Sequence, residues 1–198
     1  IHDMRTRIIT SPSFSHSNIL GAILFEQTME RLILGVPSAN FLWKSKKIVP
    51  FLKIDKGLQD PENGVRLMKD IPDLGGILKK ASEYGIFGTK MRSVIYENNT
   101  LGVDKIVEQQ FEIGEIILDA GLTPIIEPEV TINIPQKLNA EESLKESLLK
   151  SLNKIDGTQK VLLKLTLPEK ENFYEELVEH PNVLRVVALS GGYSLTEA

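Results

Sequence analysis

Val161-Leu162-Leu163-Lys164-Leu165-Thr166-Leu167-Pro168 is an apolar run with one ammonium at its centre, preceded by Asp156-Gly157. A continuous apolar stretch of this length between turn residues reads as a strand of a parallel sheet covered on both faces. Lysine is among the residues least often buried, so Lys164 is expected to point at something lined by protein. A desolvated ammonium gives up its proton more readily, and a neutral amine can attack a carbonyl to form a Schiff base. The plain alternative is a strand-end lysine whose stem packs while its head reaches water. The flanking sequence decides between the two.

Immediately before this run, Asn139-Ala140-Glu141-Glu142 reads as a capping box. It would open a helix with Leu144, Leu148, Leu149, Leu152 and Ile155 as its buried stripe. After the run, Asn172 is placed to cap a short helix through Phe173, Tyr174, Leu177 and Val178, stopping before His180-Pro181. Val183-Leu184-Arg185-Val186-Val187-Ala188-Leu189 is the next strand, and it runs into Ser190-Gly191-Gly192-Tyr193. Small residues at a strand's end leave backbone N–H groups free to cradle a phosphate, although such a turn is a weak signal alone.

Further upstream, Leu122 to Glu129 forms a strand that carries Glu127 and Glu129 one step apart on one face. Two such carboxylates can move protons when repulsion and burial make one of them hold its proton; ion pairs with lysines are the plain alternative, and the two are compatible. Val103, Ile106, Val107, Phe111, Gly114, Ile117 and Leu118 repeat at helical spacing up to Gly121. Ile86 to Arg92 is another strand, with Lys90 and Arg92 sharing a face. Two adjacent cations call for a phosphate or carboxylate ligand, unless the strand end is simply exposed. Asp73 is the expected N-cap of a helix through Leu74, Ile77, Leu78 and Ala81, stopped by Gly85. Gln59 to Pro72 reads as a polar loop of a length that is often functional. Ile48 to Gly57 is a strand with Lys53 and Asp55 on one face. Ile19 to Phe25 is a short apolar strand, residues 27–34 a short helix, and Lys44-Ser45-Lys46-Lys47 a solvated basic face. Met4 to Ile9 looks like the tail of a helix, and the chain is expected to be part of a longer one.

Composition narrows the chemistry. The 198 residues are 41% hydrophobic, enough for one sizeable core, and the net charge of -4 offers no general attraction to nucleic acid or an anionic membrane. With no cysteine there is no disulfide framework and no thiolate nucleophile or ligand. His2, His16 and His180 match no metal-ligand spacing, so no metal is expected. No apolar run is long enough to span a bilayer and no signal peptide opens the chain, which makes the cytoplasm the simplest expectation.

Six strands therefore alternate with helices, the pattern of parallel βαβ units. A doubly wound sheet would normally carry a G-x-G-x-x-G or P-loop turn after its first strand, and neither is present. In a (β/α)₈ barrel the site is assembled from the C-terminal ends of several strands, which is where Lys53, Lys90, Arg92, Glu127, Lys164 and Ser190 fall. The expected fold is thus an α/β TIM barrel. There Lys164 would share a mouth with Lys90, and a neighbouring cation favours a nucleophilic amine. Surplus positive charge from Lys53, Lys90 and Arg92 suits a phosphorylated sugar.

The same residues resemble the class I fructose-1,6-bisphosphate aldolases, most closely their bacterial branch. Lys53-Ile54-Asp55-Lys56-Gly57 is similar to that family's K-V-D-K-G strand, and Lys90-Met91-Arg92 to its K-W-R strand with Met for Trp. Pro124-Ile125-Ile126-Glu127-Pro128-Glu129 matches P-I-V-E-P-E. Leu162-Leu163-Lys164 matches the L-L-K of the imine-forming lysine, with Leu165-Thr166 where Pro-Asn is usual. Leu189-Ser190-Gly191-Gly192 matches the L-S-G-G phosphate turn, with Tyr193 where animal enzymes have Gln. The resemblance implies reversible cleavage of fructose 1,6-bisphosphate to dihydroxyacetone phosphate and glyceraldehyde 3-phosphate, in glycolysis and gluconeogenesis, without metal or cofactor. Lys164 would form the Schiff base. Glu127 would transfer protons, with Glu129 and Lys90 tuning it and Lys90 assisting dehydration and C–C cleavage. Lys53 and Arg92 would bind the sugar or its second phosphate, Ser190, Gly191 and Gly192 the first, and Asp55 would partner Lys53 or Lys90. The family's first-strand Asp and its last-strand Ser-x-Gly-Arg phosphate site have no counterpart here. Residues 1–198 are accordingly expected to form one barrel domain truncated at both ends, with six of eight strands. A catalytically inactive fragment or sugar-phosphate-binding barrel is the alternative, and self-association into a homo-oligomer is left open.

Overall fold

The computed structural model describes residues 2–197. Six strands form one parallel sheet: β1 (Gly21–Leu24), β2 (Val49–Lys53), β3 (Gly88–Ile95), β4 (Thr123–Val130), β5 (Val161–Thr166) and β6 (Val183–Leu189). Each pairs with the next in sequence, so the spatial order equals the chain order. A doubly wound sheet reverses that order part-way, whereas steady advance in one direction is the winding of a barrel. Among the described residues β1 and β6 are each paired on one side only.

Besides short helical segments at Glu26–Met29, Ser38–Asn40 and Phe41–Lys46, the helices are α1 (His2–Thr10), α2 (Leu74–Glu83), α3 (Thr100–Asp119), α4 (Lys137–Leu152) and α5 (Glu175–Val178). Asp73 takes a left-handed conformation (φ 54°) and its side chain accepts from Gly76 N–H, capping α2. Asn99, with an extended backbone, caps α3 by accepting from Gly102 N–H. The stripe of α3 lies against β3 and β4 as its spacing predicts, with Met91 and Ile126 beneath Gly114. Met91 therefore belongs to the layer between sheet and helix. The Met-for-Trp difference faces away from Lys90 and Arg92.

Several local expectations are corrected. The capping box is not formed, because α4 begins two residues earlier at Lys137, after Gln136 in a left-handed turn (φ 59°). Glu141 is instead fully buried and takes Lys137 as its i,i+4 partner, so burial of that pair sets the start of the helix. The helix expected over 27–34 ends at Met29. Leu34 (φ 51°) and Gly35 (φ 80°) then turn a small antiparallel ribbon, Leu32–Ile33 against Val36–Pro37. In the expected loop over 59–72, Asn63 and Gly64 turn a hairpin whose Val65–Arg66 segment pairs antiparallel with Val94 and Ile95 of β3. Helix α5 starts at Glu175, three residues past its expected cap: Asn172 is left-handed (φ 57°) and its carbonyl accepts from Glu175 N at 3.0 Å in a turn before the helix. Lys46 is not simply solvated: its Nζ donates to Ser11 O at 2.7 Å, just past the C-terminal end of α1.

Inside the curl, Phe51, Ile125 and Leu162 make a small apolar layer of their own, with Val49 against it. Phe87 meets Phe51 edge to face at 5.6 Å between ring centroids. Gly88 leaves room for Phe51 and for the neighbouring β4, since a Cβ there would lie 3.1 Å from Phe51 Cε1 and 2.0 Å from Thr123 O. Along each of these strands the next inward position carries a charge: Lys53 follows Phe51, Glu127 follows Ile125, and Lys164 follows Leu162. The apolar layer is thus the floor on which the charged one stands.

Candidate active site

The charged layer is a continuous chain of contacts at the C-terminal ends of the strands. Lys53 Nζ lies 2.6 Å from Asp55 Oδ1 and also donates to Asp55 O at 2.8 Å. Asp55 Oδ2 lies 3.5 Å from Lys90 Nζ. Lys90 Nζ lies 3.2 Å from Glu127 Oε2, and Lys164 Nζ donates to Glu127 Oε1 at 2.8 Å. Three ammonium groups thus face two carboxylates, leaving a surplus of positive charge beside the sheet's mouth. Asp55 partners both lysines rather than one.

Burial within this chain is uneven. The side chains of Glu127, Asp55 and Lys90 are 2%, 6% and 8% exposed, whereas that of Lys164 is 22% exposed. Lys53, 27% exposed, and Lys164 are thus the two ammonium groups of this chain of contacts that a solute can reach, and Lys164 is the one paired with Glu127. Glu127 Oε2 is buried and receives no hydrogen bond, because Lys90 stands in ion-pair contact but off the required direction. The Lys90 charge compensates that oxygen while leaving it a lone pair that no donor fills. Glu127 and Glu129 take different cationic partners. Glu129 Oε2 accepts from Arg92 Nε at 2.5 Å. That hydrogen bond is the main reason the Arg92 guanidinium sits above its ordinary range; the charges of Glu129, Glu127 and Asp55 add to it, and desolvation opposes it.

Ser190, Gly191 and Gly192 form an exposed turn beyond β6, with Tyr193 N donating to Ser190 O at 3.3 Å. Gly192 has φ 94°, a left-handed conformation that selects glycine. The turn stands at the same end of the sheet as the lysines but makes no direct contact with them.

Sequence reasoning missed the residues that hold this layer in place. Gln110 of α3 is fully buried; its Oε1 accepts from Glu127 N at 2.8 Å and its Nε2 donates to Ser93 Oγ at 3.0 Å. Its signal was a polar residue on the apolar stripe between Val107 and Phe111. Thr166 Oγ1 donates to Val130 O at 2.8 Å and accepts from Val130 N at 3.1 Å, tying the end of β5 to that of β4. Among the described residues no group of three or more histidines, aspartates or glutamates is arranged to hold a metal ion. An apolar groove of about 750 Å³ runs between β1 and β6, lined by Leu20, Ile23, Phe51, Phe87 and Leu184, with Lys164 on its wall.

The sequence profile of the family described as Fructose-bisphosphate aldolase class-I matches residues 2–175. The chain belongs to that family. It is 58% identical to the protein named fructose-bisphosphate aldolase class 1 of Porphyromonas gingivalis and 57% identical to that of Synechocystis sp.. Each match runs over 198 residues, 100% of this chain and 67% and 66% of those proteins. The chain thus spans about two thirds of the length of the curated aldolases it matches. The fructose-bisphosphate aldolase of Plasmodium falciparum, solved in complex with TRAP and a small molecule inhibitor, superimposes with a TM-score of 0.80 at 22% identity. That match covers 98% of this chain and 64% of the other. The aldolase likeness gives the fold its class: α/β, with the curled parallel sheet of a (β/α)₈ barrel, incomplete among the described residues.

Proposed function

We propose that these residues carry out reversible aldol cleavage of fructose 1,6-bisphosphate, through a Schiff base on Lys164. The observation that carries this reading is the Glu127 carboxylate set between two lysines, 2.8 Å from Lys164 Nζ and 3.2 Å from Lys90 Nζ. Glu127 takes a proton from the Lys164 ammonium, and the freed amine attacks the ketose carbonyl. The carbinolamine hydroxyl leaves as water with a proton returned by Glu127, and Lys90 steadies the oxygen as it departs. The protonated imine then withdraws electrons from the neighbouring carbon. The C–C bond breaks as the Glu127 carboxylate takes the hydroxyl proton of the departing aldehyde, leaving an enamine that takes that proton back at carbon to become the imine of dihydroxyacetone phosphate. Hydrolysis of that imine frees Lys164.

Arg92 and Lys53 supply positive charge for a phosphate or sugar oxygen, and the backbone N–H groups of Ser190, Gly191 and Gly192 are suited to the other phosphate. Glu129 keeps Arg92 oriented meanwhile. A phosphorylated substrate is too charged to cross a membrane unaided, so a cytoplasmic place in glycolysis and gluconeogenesis goes with the same proposal. The direct experiment is borohydride reduction with dihydroxyacetone phosphate, followed by peptide mass mapping. A reduced adduct on Lys164 is expected. A folded protein that binds the phosphate without forming an adduct would replace this reading with that of a binding barrel.

A further inference from the structure

The backbone ladder between β4 and β5 joins Ile125 to Leu162 and Ile126 to Leu163, then stops. Glu127 and Lys164 are the next residues along, and Glu127 N donates to Gln110 Oε1, so the ladder carries their pairing no further. Side chains at the end of β5 take over. Thr166 holds Val130, as described above, and the turn after it is gripped by a buried ion pair. Lys137 Nζ donates to Leu167 O at 2.8 Å and to Glu141 Oε1, while Glu141 Oε2 accepts from Glu169 N at 3.1 Å. Lys137 is 4% exposed and Glu141 0%. Leu167 O also accepts from Tyr193 Oη at 3.3 Å, which links the turn to the segment just after Ser190-Gly191-Gly192.

For stability alone, an apolar pair of similar volume would serve as well or better than a buried ion pair. It could not hold a carbonyl and an amide of the turn. We propose that Lys137 and Glu141 are positioning residues, fixing the Leu167–Glu169 turn so that Lys164 reaches Glu127 and the Ser190 turn keeps its place. The inference rests on the Schiff-base reading of Lys164. A displacement of about 1 Å at a reacting group can cost about 100-fold in rate, so the expected effect is large for residues that touch no substrate.

The test uses the full-length chain carrying Lys137→Met together with Glu141→Met, which removes both charges and leaves neither unpaired. Borohydride trapping with dihydroxyacetone phosphate is followed in time. Simple destabilisation lowers the fraction of chains that can be labelled, whereas misplacement lowers the rate at which the folded fraction is labelled. A rate about 10- to 100-fold below wild type at unchanged final labelling supports the proposal; a wild-type rate overturns it. Should the double variant not fold, Tyr193→Phe decides, since it removes the second donor to Leu167 O from a half-exposed position. Several-fold slower trapping is then expected, and unchanged trapping overturns the inference. Wild-type protein that forms no adduct at all overturns the Schiff-base reading itself, before any variant is compared.

Discussion

Two lysine–glutamate clusters lie near β5, and they differ in how completely they are satisfied. In the outer one, both oxygens of Glu141 are used, by Lys137 and by Glu169 N–H, and Lys137 also binds Leu167 O. In the inner one, Glu127 Oε2 receives no hydrogen bond and Lys164 remains 22% exposed. The same two residue types thus make a closed clamp in one place and an open relay in the other. Saturation gives rigidity, and an unfilled lone pair beside a reachable ammonium gives chemistry.

Substitutions can break that contrast. The largest effect is expected at Lys164→Met, which removes the amine: cleavage should fall by about 10³-fold or more and the borohydride adduct vanish, both read in assays of the purified full-length protein. Glu127→Gln keeps the shape but not the proton, so turnover should fall about 10²- to 10⁴-fold, with slowed imine formation in single-turnover trapping. In the outer cluster, removing one partner alone should cost stability as well. Lys137→Ala leaves Glu141 buried and uncompensated, and urea unfolding should show a loss of about 3–5 kcal/mol.

A smaller effect concerns Tyr174, whose hydroxyl is buried beside the outer cluster without a hydrogen-bond partner. Burial, and secondarily the charge of Glu141, push its phenol well above the ordinary tyrosine range. The unfolded phenol ionises near about pH 10 while the folded one keeps its proton, so above that pH the unfolded state binds fewer protons and stability falls. The fall approaches about 1.4 kcal/mol per pH unit. Tyr174→Phe should flatten this alkaline limb while leaving the midpoint at pH 7 unchanged or higher, as urea midpoints between pH 8 and 11 would show. An unaltered limb would mean that the hydroxyl finds a partner in solution.

The inner cluster was far more legible in the sequence than the outer one. Strand alternation alone puts Lys53, Glu127 and Lys164 one step beyond Phe51, Ile125 and Leu162, and the turn residues that bound the strands place those positions at the sheet's C-terminal end. Which carboxylate meets which lysine was not legible, because Lys90, Glu127 and Lys164 come from three strands whose register is a tertiary fact. Lys137 and Glu141 were hidden for a different reason. Four-residue spacing near a helix start fits both an exposed cap and a buried pair, and only the fold shows Leu167 O and Glu169 N above them. Gln110 did leave a trace as a polar residue among apolar neighbours, but a lone polar position on a helix stripe does not say what it binds.

The β3–β4 ladder runs unbroken from Gly88 opposite Thr123 to Ile95 opposite Val130, whereas the β4–β5 ladder ends at Ile126 opposite Leu163. The inner cluster is therefore gripped like a workpiece in a vice, with backbone pairing setting the jaw that carries Lys90 and the Thr166 and Lys137 contacts setting the jaw that carries Lys164. On the Schiff-base reading, a carbonyl carbon joined to Lys164 Nζ would meet a Glu127 already flanked on both sides.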